Sequence, residues 1–342
     1  MSLDVSPDGK TIVFDMLGDL YTMPITGSAD GAAVACIAAG RQWDMQPRFS
    51  PDGKSITFVS DRTGDGDKGG DNIWLMTAGD KGAWQAPRQI TKESFRLITQ
   101  PVFTTDGQYI IGRKHFTSRR SLGAGEMWMY HISGKTDGLQ LTNKISEQKD
   151  TGEPSVSPDG KYLYYSLDAT NGQNFEYDKD GNPGIYAIDK LDLATRETIR
   201  LIAGPGGACR PVPSPDGKSI AFIRRVRYQS TLFVMDLASG QMRPVFDNME
   251  RDNQETWAVH GVYPNFAWTP DGSRIIAWSG GKIRSINPTA GTAEVIPFRI
   301  RGGRSIAKAQ RIQTPIAAEN FMSEFSAIYR SAPTATRSCS KP

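Results

Sequence analysis

The chain has 342 residues, of which 38% are hydrophobic and 23% charged, and its formal net charge is +3. This composition allows a buried core, and the small net charge gives no reason to expect nucleic acid as a partner. No run of about 18 apolar residues occurs, so no membrane span is predicted. No secretory signal is visible before the first repeat, so we expect either a cytosolic protein or an incomplete amino terminus. Cys36, Cys209 and Cys339 have no metal-binding spacing and are interpreted as buried or idle thiols.

An Asp-Gly turn recurs six times in matching sequence context, at intervals of about 44 to 57 residues, a range typical of propeller blades. Proline and Asp-Gly favour a tight turn, and apolar and polar residues alternate on both sides of it. Each repeat therefore predicts a hairpin. The six turns are centred on Asp8-Gly9, Asp52-Gly53, Asp106-Gly107, Asp159-Gly160, Asp216-Gly217 and Asp271-Gly272.

A third strand with a central aromatic or apolar residue follows each hairpin, and a shorter fourth strand follows the third. The third strands are predicted at 20–23, 73–76, 127–130, 185–188, 232–235 and 282–286. The fourth strands are predicted near 34–38, 88–91, 140–142, 198–202, 243–246 and 293–298. The aromatic residues of the third strands, Tyr21, Trp74, Trp128, Tyr186 and Phe233, are predicted to pack in the core.

Four antiparallel strands repeated six times predict an all-β fold, a six-bladed β-propeller over residues 1–300. No long helical pattern lies between the repeats, which disfavours a parallel α/β fold. The blades are expected near 3–40, 46–92, 100–143, 153–203, 210–247 and 264–299. Residues 301–342 form an irregular basic tail that lacks the repeat. We interpret it as an altered, truncated or out-of-frame end, with a docking segment as the alternative.

Strand alternation places all six Asp-Gly turns on one face of the propeller. The loops between strands two and three, and those between blades, share the opposite face, which we name the loop face. These loops vary most, and variable loops on a rigid scaffold often bind ligands. The candidate binding residues there are Asp61, Arg62, Arg113, Lys114, Arg210, Arg224, Trp257 and His260. The alternative is that the basic residues pair locally with Asp61, Glu126, Asp150 and Glu153.

The sequence contains few of the residue patterns that catalysis requires. Its three histidines, His115, His131 and His260, lack zinc-ligand spacing, and no nucleophile-elbow motif is present. Asp178, Asp180 and Asn182 have partial calcium-loop spacing, but a proline stands where the sharp turn needs glycine. This loop and the acidic loop 61–71 are interpreted as solvated hairpin loops. The prediction is therefore no catalytic residues, no metal and no cofactor.

The repeated Ser-Pro-Asp-Gly-Lys turns at 6–10, 50–54, 157–161 and 214–218, with Ser60-Asp61-Arg62 after the second strand of blade two, resemble the TolB-type, WD40-like propeller repeat. This resemblance covers about residues 3–298 and implies a partner-binding or scaffold role. The segments 1–10, 18–21, 42–49 and 182–186 are similar to the amino-terminal propeller of large exported bacterial proteins that carry a metal-dependent amidohydrolase domain. That resemblance implies a periplasmic or exported protein.

Three functional hypotheses follow. The first is a non-catalytic propeller that binds a protein or small ligand at its loop face, as the front part of an amidohydrolase-type protein whose catalytic domain is itself a possible partner. The second is a stand-alone TolB-like accessory protein of the cell envelope that binds a protein partner. The third is a hydrolase with an unrecognised site on the loop face.

Overall fold

The computed structural model describes residues 1–62, 70–79, 83–93, 97–117, 123–175, 180–256 and 258–303. Its strands form six four-stranded antiparallel sheets, so the predicted six-bladed β-propeller is confirmed. Blades one to three contain β1 (Leu3–Val5), β2 (Thr11–Met16), β3 (Asp19–Pro24), β4 (Ala35–Ala38), β5 (Asp44–Phe49), β6 (Ser55–Ser60), β7 (Asn72–Thr77), β8 (Arg88–Gln89), β9 (Ile98–Phe103), β10 (Tyr109–Thr117), β11 (Gly123–His131) and β12 (Leu139–Gln140).

Blades four to six repeat the same order of strands. They contain β13 (Thr151–Val156), β14 (Tyr162–Asp168), β15 (Tyr186–Asp192), β16 (Thr198–Ile202), β17 (Cys209–Pro213), β18 (Ser219–Val226), β19 (Gln229–Asp236), β20 (Met242–Phe246), β21 (Ala267–Trp268), β22 (Ile275–Ser279), β23 (Lys282–Ile286) and β24 (Ala293–Ile296). The third strand of blade four extends to Asp192, beyond its predicted end, because its whole length pairs with β14. The described residues contain no helix that is long and apolar enough to cross a membrane.

The turns between the first two strands close into a ring. Each turn glycine has a φ near +70° and packs against the turn of the preceding blade. A Cβ on Gly53 would lie 3.4 Å from Cδ of Pro7, and one on Gly9 would lie 3.4 Å from Cδ of Pro270. The contact between Gly9 and Pro270 joins blade one to blade six. Glycine is therefore favoured here for its backbone conformation, while the distance to the proline would leave room for a Cβ in ordinary contact.

Apolar side chains fill the space between neighbouring blades. At the junction of the first and last blades, Leu3 and Phe14 are buried with Ile276 and Ile283 in one cluster. The main-chain N–H of Ser28 also donates to the carbonyl of Pro297 over 2.7 Å. No strand is exchanged between the two blades, since every sheet contains four consecutive strands. Apolar packing and a few hydrogen bonds therefore close the propeller within residues 1–300.

The first strands of blades two to five share a bulge at the inner wall of the propeller. Gln46, Gln100, Glu153 and Arg210 have φ values of 57°, 58°, 59° and 52°, and each precedes a proline. The pairing with the second strand shifts register at these points. A bulge turns one residue out of the ladder and leaves its N–H without a partner in the sheet. These four residues therefore need hydrogen-bond partners from elsewhere.

The turn carboxylates predict a pH-dependent effect on stability. In blade two, the hydroxyl of Ser50 and then the N–H of Lys54 lower the pKa of Asp52 below its ordinary 3.8. A lowered pKa in the folded state adds stability above the unfolded pKa, and this stability is lost as the pH falls further. We expect Asp52→Asn to lower the melting temperature by about 1–3 °C at pH 7.

The same variant should show a smaller difference from the parent protein near pH 2.5. Differential scanning fluorimetry across this pH range measures the effect, with the exposed Asp137→Asn as a control outside the turns. An Asp52→Asn difference that is constant with pH would contradict the role of the carboxylate.

Candidate functional site

A ring of buried polar side chains lines the central channel. Its members stand seven positions before each turn glycine, so each blade contributes one residue from the same place in its repeat. We name this set the channel ring: Ser2, Gln46, Gln100, Glu153, Arg210 and Asn265. All six are buried, so each needs hydrogen bonds within the protein.

In blades two to four, each side chain of the channel ring accepts a hydrogen bond from the bulged residue of the next blade. Gln46 Oε1 accepts from the N–H of Gln100 over 2.8 Å. Gln100 Oε1 accepts from the N–H of Glu153, and Glu153 Oε2 accepts from the N–H of Arg210 over 2.6 Å. The orphaned donors of the bulges are thus satisfied by neighbouring blades, which couples the blades in sequence.

The other half of the ring is closed by different chemistry. Nε of Arg210 donates to the carbonyl of Tyr263 over 2.8 Å, and Nδ2 of Asn265 donates to the carbonyl of Leu3 over 2.6 Å. The carboxylate of Asp15 then joins blades one and two. Its Oδ1 accepts from the N–H of Ser2 over 3.0 Å, and its Oδ2 accepts from the N–H of Gln46 over 2.7 Å. The hydrogen-bonded circuit therefore includes all six blades.

Residues 258–261, which we name the mouth segment, cross the channel on the loop face. The carbonyl of His260 accepts from Gln46 Nε2 over 2.6 Å, and that of Val259 accepts from Gln100 Nε2 over 3.3 Å. A Cβ on Gly261 would lie 2.7 Å from Nη2 of Arg210. The segment is therefore seated directly on the channel ring and covers this end of the channel.

His260 also fastens the mouth segment to the rim. Its Nε2 lies 2.7 Å from Oδ2 of Asp71, the residue directly before β7 in blade two. The imidazole is 46% exposed, whereas the Asp71 side chain is 13% exposed. This contact joins the longest connection between blades, 247–266, to the opposite side of the propeller.

A pocket of about 490 Å³ opens beside the mouth segment, and we name it the mouth pocket. Its walls are largely apolar, and its ionisable side chains are two aspartates and one histidine. Burial raises the pKa of Asp15, because a carboxylate is costly to remove from water. The lining residues are Met1, Ser2, Asp15, Met16, Leu17, Gly18, Trp43, Asp44, Met45, Gln46, His260, Gly261, Pro264 and Trp278.

Three of the predicted binding residues lie over aromatic rings of their own blades. The Arg62 guanidinium lies 5.5 Å from the ring centre of Trp74, Lys114 Nζ lies 4.5 Å from that of Trp128, and the Arg224 guanidinium lies 5.8 Å from that of Phe233. These aromatic residues are half-buried, while Tyr21 and Tyr186 are buried as predicted. A cation over an aromatic face contributes about 0.5–1 kcal/mol at exposed sites.

The same three cations also have polar partners. Arg62 bonds to Asp44, and Lys114 Nζ lies 2.6 Å from Glu93 Oε1. Arg224 donates from Nε to the carbonyl of Gly207 over 3.0 Å. The Arg62 contact stays within blade two, whereas the contacts of Lys114 and Arg224 tie these side chains to the connection between their blade and the preceding one.

The remaining predicted residues are divided between the interior and the loop face. Arg113 is fully buried and bonds to Asp150, and Arg210 belongs to the channel ring. Asp61 accepts from the N–H of Trp43 over 2.7 Å at the edge of the mouth pocket, and His260 lines that pocket. Trp257 lies outside the described residues. The structure therefore does not bring the seven described residues together into one site, and the role of all eight in binding stays a prediction.

The local pairing considered as an alternative is seen for Arg113 with Asp150 and for Arg210 with Glu153, where Nη2 and Oε1 are 3.3 Å apart. Burial and then the charge of Arg113 lower the pKa of His115 to about 3. This imidazole is therefore neutral at ordinary pH.

Sequence reasoning missed the channel ring and the mouth pocket. The ring had a signal, namely a polar residue directly before the recurring prolines in blades two to five. Asp15 also had a signal, since it interrupts the apolar run of β2. Trp43 and Trp278 had none, because they stand far apart in the sequence and in different parts of their repeats.

Among the described residues, no group of three or more His, Cys, Asp or Glu side chains is arranged to hold a metal ion. Asp65, Asp67 and Asp178 of the two acidic loops lie outside those residues, so calcium binding there is untested.

The fold is that of TolB-like six-bladed β-propellers. The crystal structure of TolB from Acinetobacter baumannii matches with a TM-score of 0.58 at 17% identity, over 85% of this chain and 61% of that one. The tricorn protease matches with a TM-score of 0.59 at 16% identity, over 89% of this chain and 27% of that one. At these identities the likeness concerns the fold alone. No family model matches the sequence.

Curated relatives include proteins named as peptidases. Dipeptidyl-peptidase 5 of Porphyromonas gingivalis is 27% identical over 381 aligned positions, which cover 91% of this chain and 51% of that protein. The uncharacterized peptidase YuxL of Bacillus subtilis is 27% identical over 158 residues, 38% of this chain and 23% of that protein. The chain thus spans about half or less of the length of these relatives.

The channel ring generates a prediction about stability. Replacing Glu153 by alanine leaves the buried Arg210 guanidinium without its carboxylate, together with the donors of Ser166 and Tyr263. We expect the free energy of unfolding to fall by about 3–5 kcal/mol, measured by urea denaturation. Glu153→Gln should cost less, and the exposed Glu197→Ala of the same blade should have little effect. A loss below about 1 kcal/mol for Glu153→Ala would show that the circuit is not needed.

The contact between His260 and Asp71 generates a second prediction. His260→Ala should leave the fold intact and loosen the mouth segment, where the N–H of Gly261 donates to the carbonyl of Ala258 over 3.0 Å. Hydrogen exchange at Gly261 should become at least about fivefold faster. His131→Ala, on the turn face, serves as the control, since its imidazole bonds only locally to Ser133. Unchanged exchange at Gly261 would rule out a fastening role for His260.

Proposed function

We propose that this chain is a non-catalytic β-propeller that binds a protein or ligand at its loop face. The observation that carries this proposal is the mouth pocket, a wide and largely apolar cleft beside a channel end that the mouth segment covers. Pockets of about 300–1,000 Å³ with apolar walls and a few polar groups are typical binding sites.

The chemistry of the pocket favours binding over catalysis. Its lining contains two aspartates and His260, but no cysteine, lysine or tyrosine, and its one serine, Ser2, accepts a hydrogen bond from Asn265 within the channel ring. Asp15 is bound through both oxygens to main-chain N–H groups. These groups hold the scaffold together, and an activated nucleophile needs a free base beside it.

The proposal includes a place for this propeller within a larger hydrolase. The match to about half of dipeptidyl-peptidase 5 supports a longer polypeptide in which a separate domain carries the chemistry. The sequence resemblance favours an exported amidohydrolase-type parent, whereas the curated relatives favour a peptidase. In both cases the propeller binds or admits the substrate, and the missing catalytic domain is its nearest partner. An exported or periplasmic location is part of the same proposal.

A TolB-like accessory protein that binds a protein partner is the second candidate. The likeness in fold to TolB over 85% of this chain supports it. The mass of the full polypeptide in the source cells distinguishes the two candidates. An antibody against this propeller should detect a polypeptide well above 37.5 kDa in the source cells if the hydrolase proposal holds. A single species near that mass would favour the accessory protein.

Turnover tests the non-catalytic assignment. We expect the purified chain to hydrolyse neither p-nitroanilide dipeptides nor p-nitrophenyl esters, with or without added Zn²⁺, Mn²⁺ or Mg²⁺. Hydrolysis that Trp43→Ala or His260→Ala abolishes, but that Tyr228→Ala on another loop leaves unchanged, would overturn the assignment in favour of a loop-face hydrolase.

A further inference from the structure

The walls of the mouth pocket present apolar and aromatic surface to solvent. Trp43 is 51% exposed and Leu17 is 71% exposed, and Trp278 and Met16 stand beside them at intermediate burial. Large apolar side chains that gather at one exposed pocket commonly mark a binding surface. Indole rings also attract cations through the negative face of the ring.

The ionisable side chains of the pocket favour a positive charge. Asp15 and Asp44 both line it, and no lysine or arginine does. Asp44 is fully buried; its Oδ2 bonds to Arg62 and to Nε2 of Gln42. Its Oδ1 has no hydrogen-bond partner among the described residues. A buried carboxylate oxygen that lacks a donor is energetically costly, and a cationic donor in the pocket would remove that cost.

The rim of the pocket contains backbone strain. Leu17 and Gly18 form the turn between β2 and β3 with φ values of 54° and 81°. Asparagine or glycine is the usual first residue of such a turn, and a branched apolar side chain is unfavourable there. Strain of this kind is typical of functional positions. The turn holds the Leu17 side chain out into solvent at the edge of the pocket.

We propose that the mouth pocket binds the side chain of an arginine or lysine from a peptide. The cationic head would lie near Asp15 and Asp44, and its alkyl stem would pack against Trp43. A bound cation would also offset the burial that raises the pKa of Asp15. The exposed Leu17 at the rim favours a peptide over a small free cation, because it extends the apolar contact beyond one side chain. This inference rests on the proposed binding function and specifies its partner.

Fluorescence anisotropy with labelled pentapeptides tests the proposal. One peptide carries a central arginine, a second carries citrulline, which has the same shape without the charge, and a third carries glutamate. Met1 lines the pocket and the α-ammonium of the chain acts on Asp15, so the protein is measured with and without a two-residue amino-terminal extension. We expect the arginine peptide to bind at least about tenfold more tightly than the citrulline peptide. Its affinity should fall as salt rises from about 0.1 M to about 1 M.

Variants then locate the site. Trp43→Ala should weaken binding of the arginine peptide by roughly five- to tenfold. Leu17→Asn should also weaken it while leaving the melting temperature unchanged or higher, since asparagine suits the turn. Tyr228→Ala is the matched control. This residue is 81% exposed in the equivalent turn of blade five, where Arg227 has a φ of 57°. Its replacement should leave affinity unchanged.

Equal binding of the arginine and citrulline peptides would overturn the inference, as would full affinity in Trp43→Ala. Tighter binding of the glutamate peptide that is lost in Trp43→Ala would also overturn it, but would leave the proposed binding function standing. Tight binding of free arginine methyl ester, equal to that of the peptide, would refute the peptide as occupant. The hydrolysis assay on the same variants is a separate test, because turnover would overturn the non-catalytic assignment whichever peptide binds.

Discussion

The structure depends on hydrogen bonds that pass from the side chain of one blade to the main chain of the next. Bulges at Gln46, Gln100, Glu153 and Arg210 release N–H groups at the inner wall, where little water reaches them. Each released donor is satisfied by an acceptor on the preceding blade, and Asp15 supplies that acceptor for Gln46. A blade that moved away would therefore leave a buried polar group unpaired, so the hydrogen-bond requirement itself holds the six blades in register.

The outer parts of the blades are held together by apolar packing, which tolerates substitution better than the hydrogen bonds of the channel ring. Most turn glycines pack against the proline in the turn of the preceding blade, and apolar clusters fill the space between sheets. The residue at this contact can vary, since the turn of blade three has Thr105 in place of the proline and Gly160 of blade four packs against it. Apolar contact needs volume and shape, whereas the inner ring needs a donor opposite each acceptor. This difference explains why the outer motif repeats closely and the inner residues differ chemically while all remaining polar.

The same constraint shapes the loop face. The mouth segment satisfies the outward-facing amides of Gln46 and Gln100, so the channel end is covered by groups that the scaffold itself requires. Three cations on this face, Arg62, Lys114 and Arg224, already have partners, since each covers an aromatic ring of its own blade. Among the described residues, the mouth pocket lies to one side of these groups and presents exposed apolar surface. Its apolar walls and the unpartnered Oδ1 of Asp44 are the features on which we base the proposal of a ligand from outside the chain.

The sequence by itself determined the number of blades, the strand order and the face of each loop. These features depend on turn chemistry and on period-two alternation, which are local and recur in every repeat. Only the tertiary structure decided which polar residues meet. From the sequence, Arg113 and Arg210 are expected at the loop face, but the structure buries them against Asp150 and Glu153. Trp43, in the connection between blades one and two, and Trp278, in blade six, line one pocket although they stand far apart in the sequence. Such pairings follow from the curvature of a closed ring, which brings together residues that no local pattern relates.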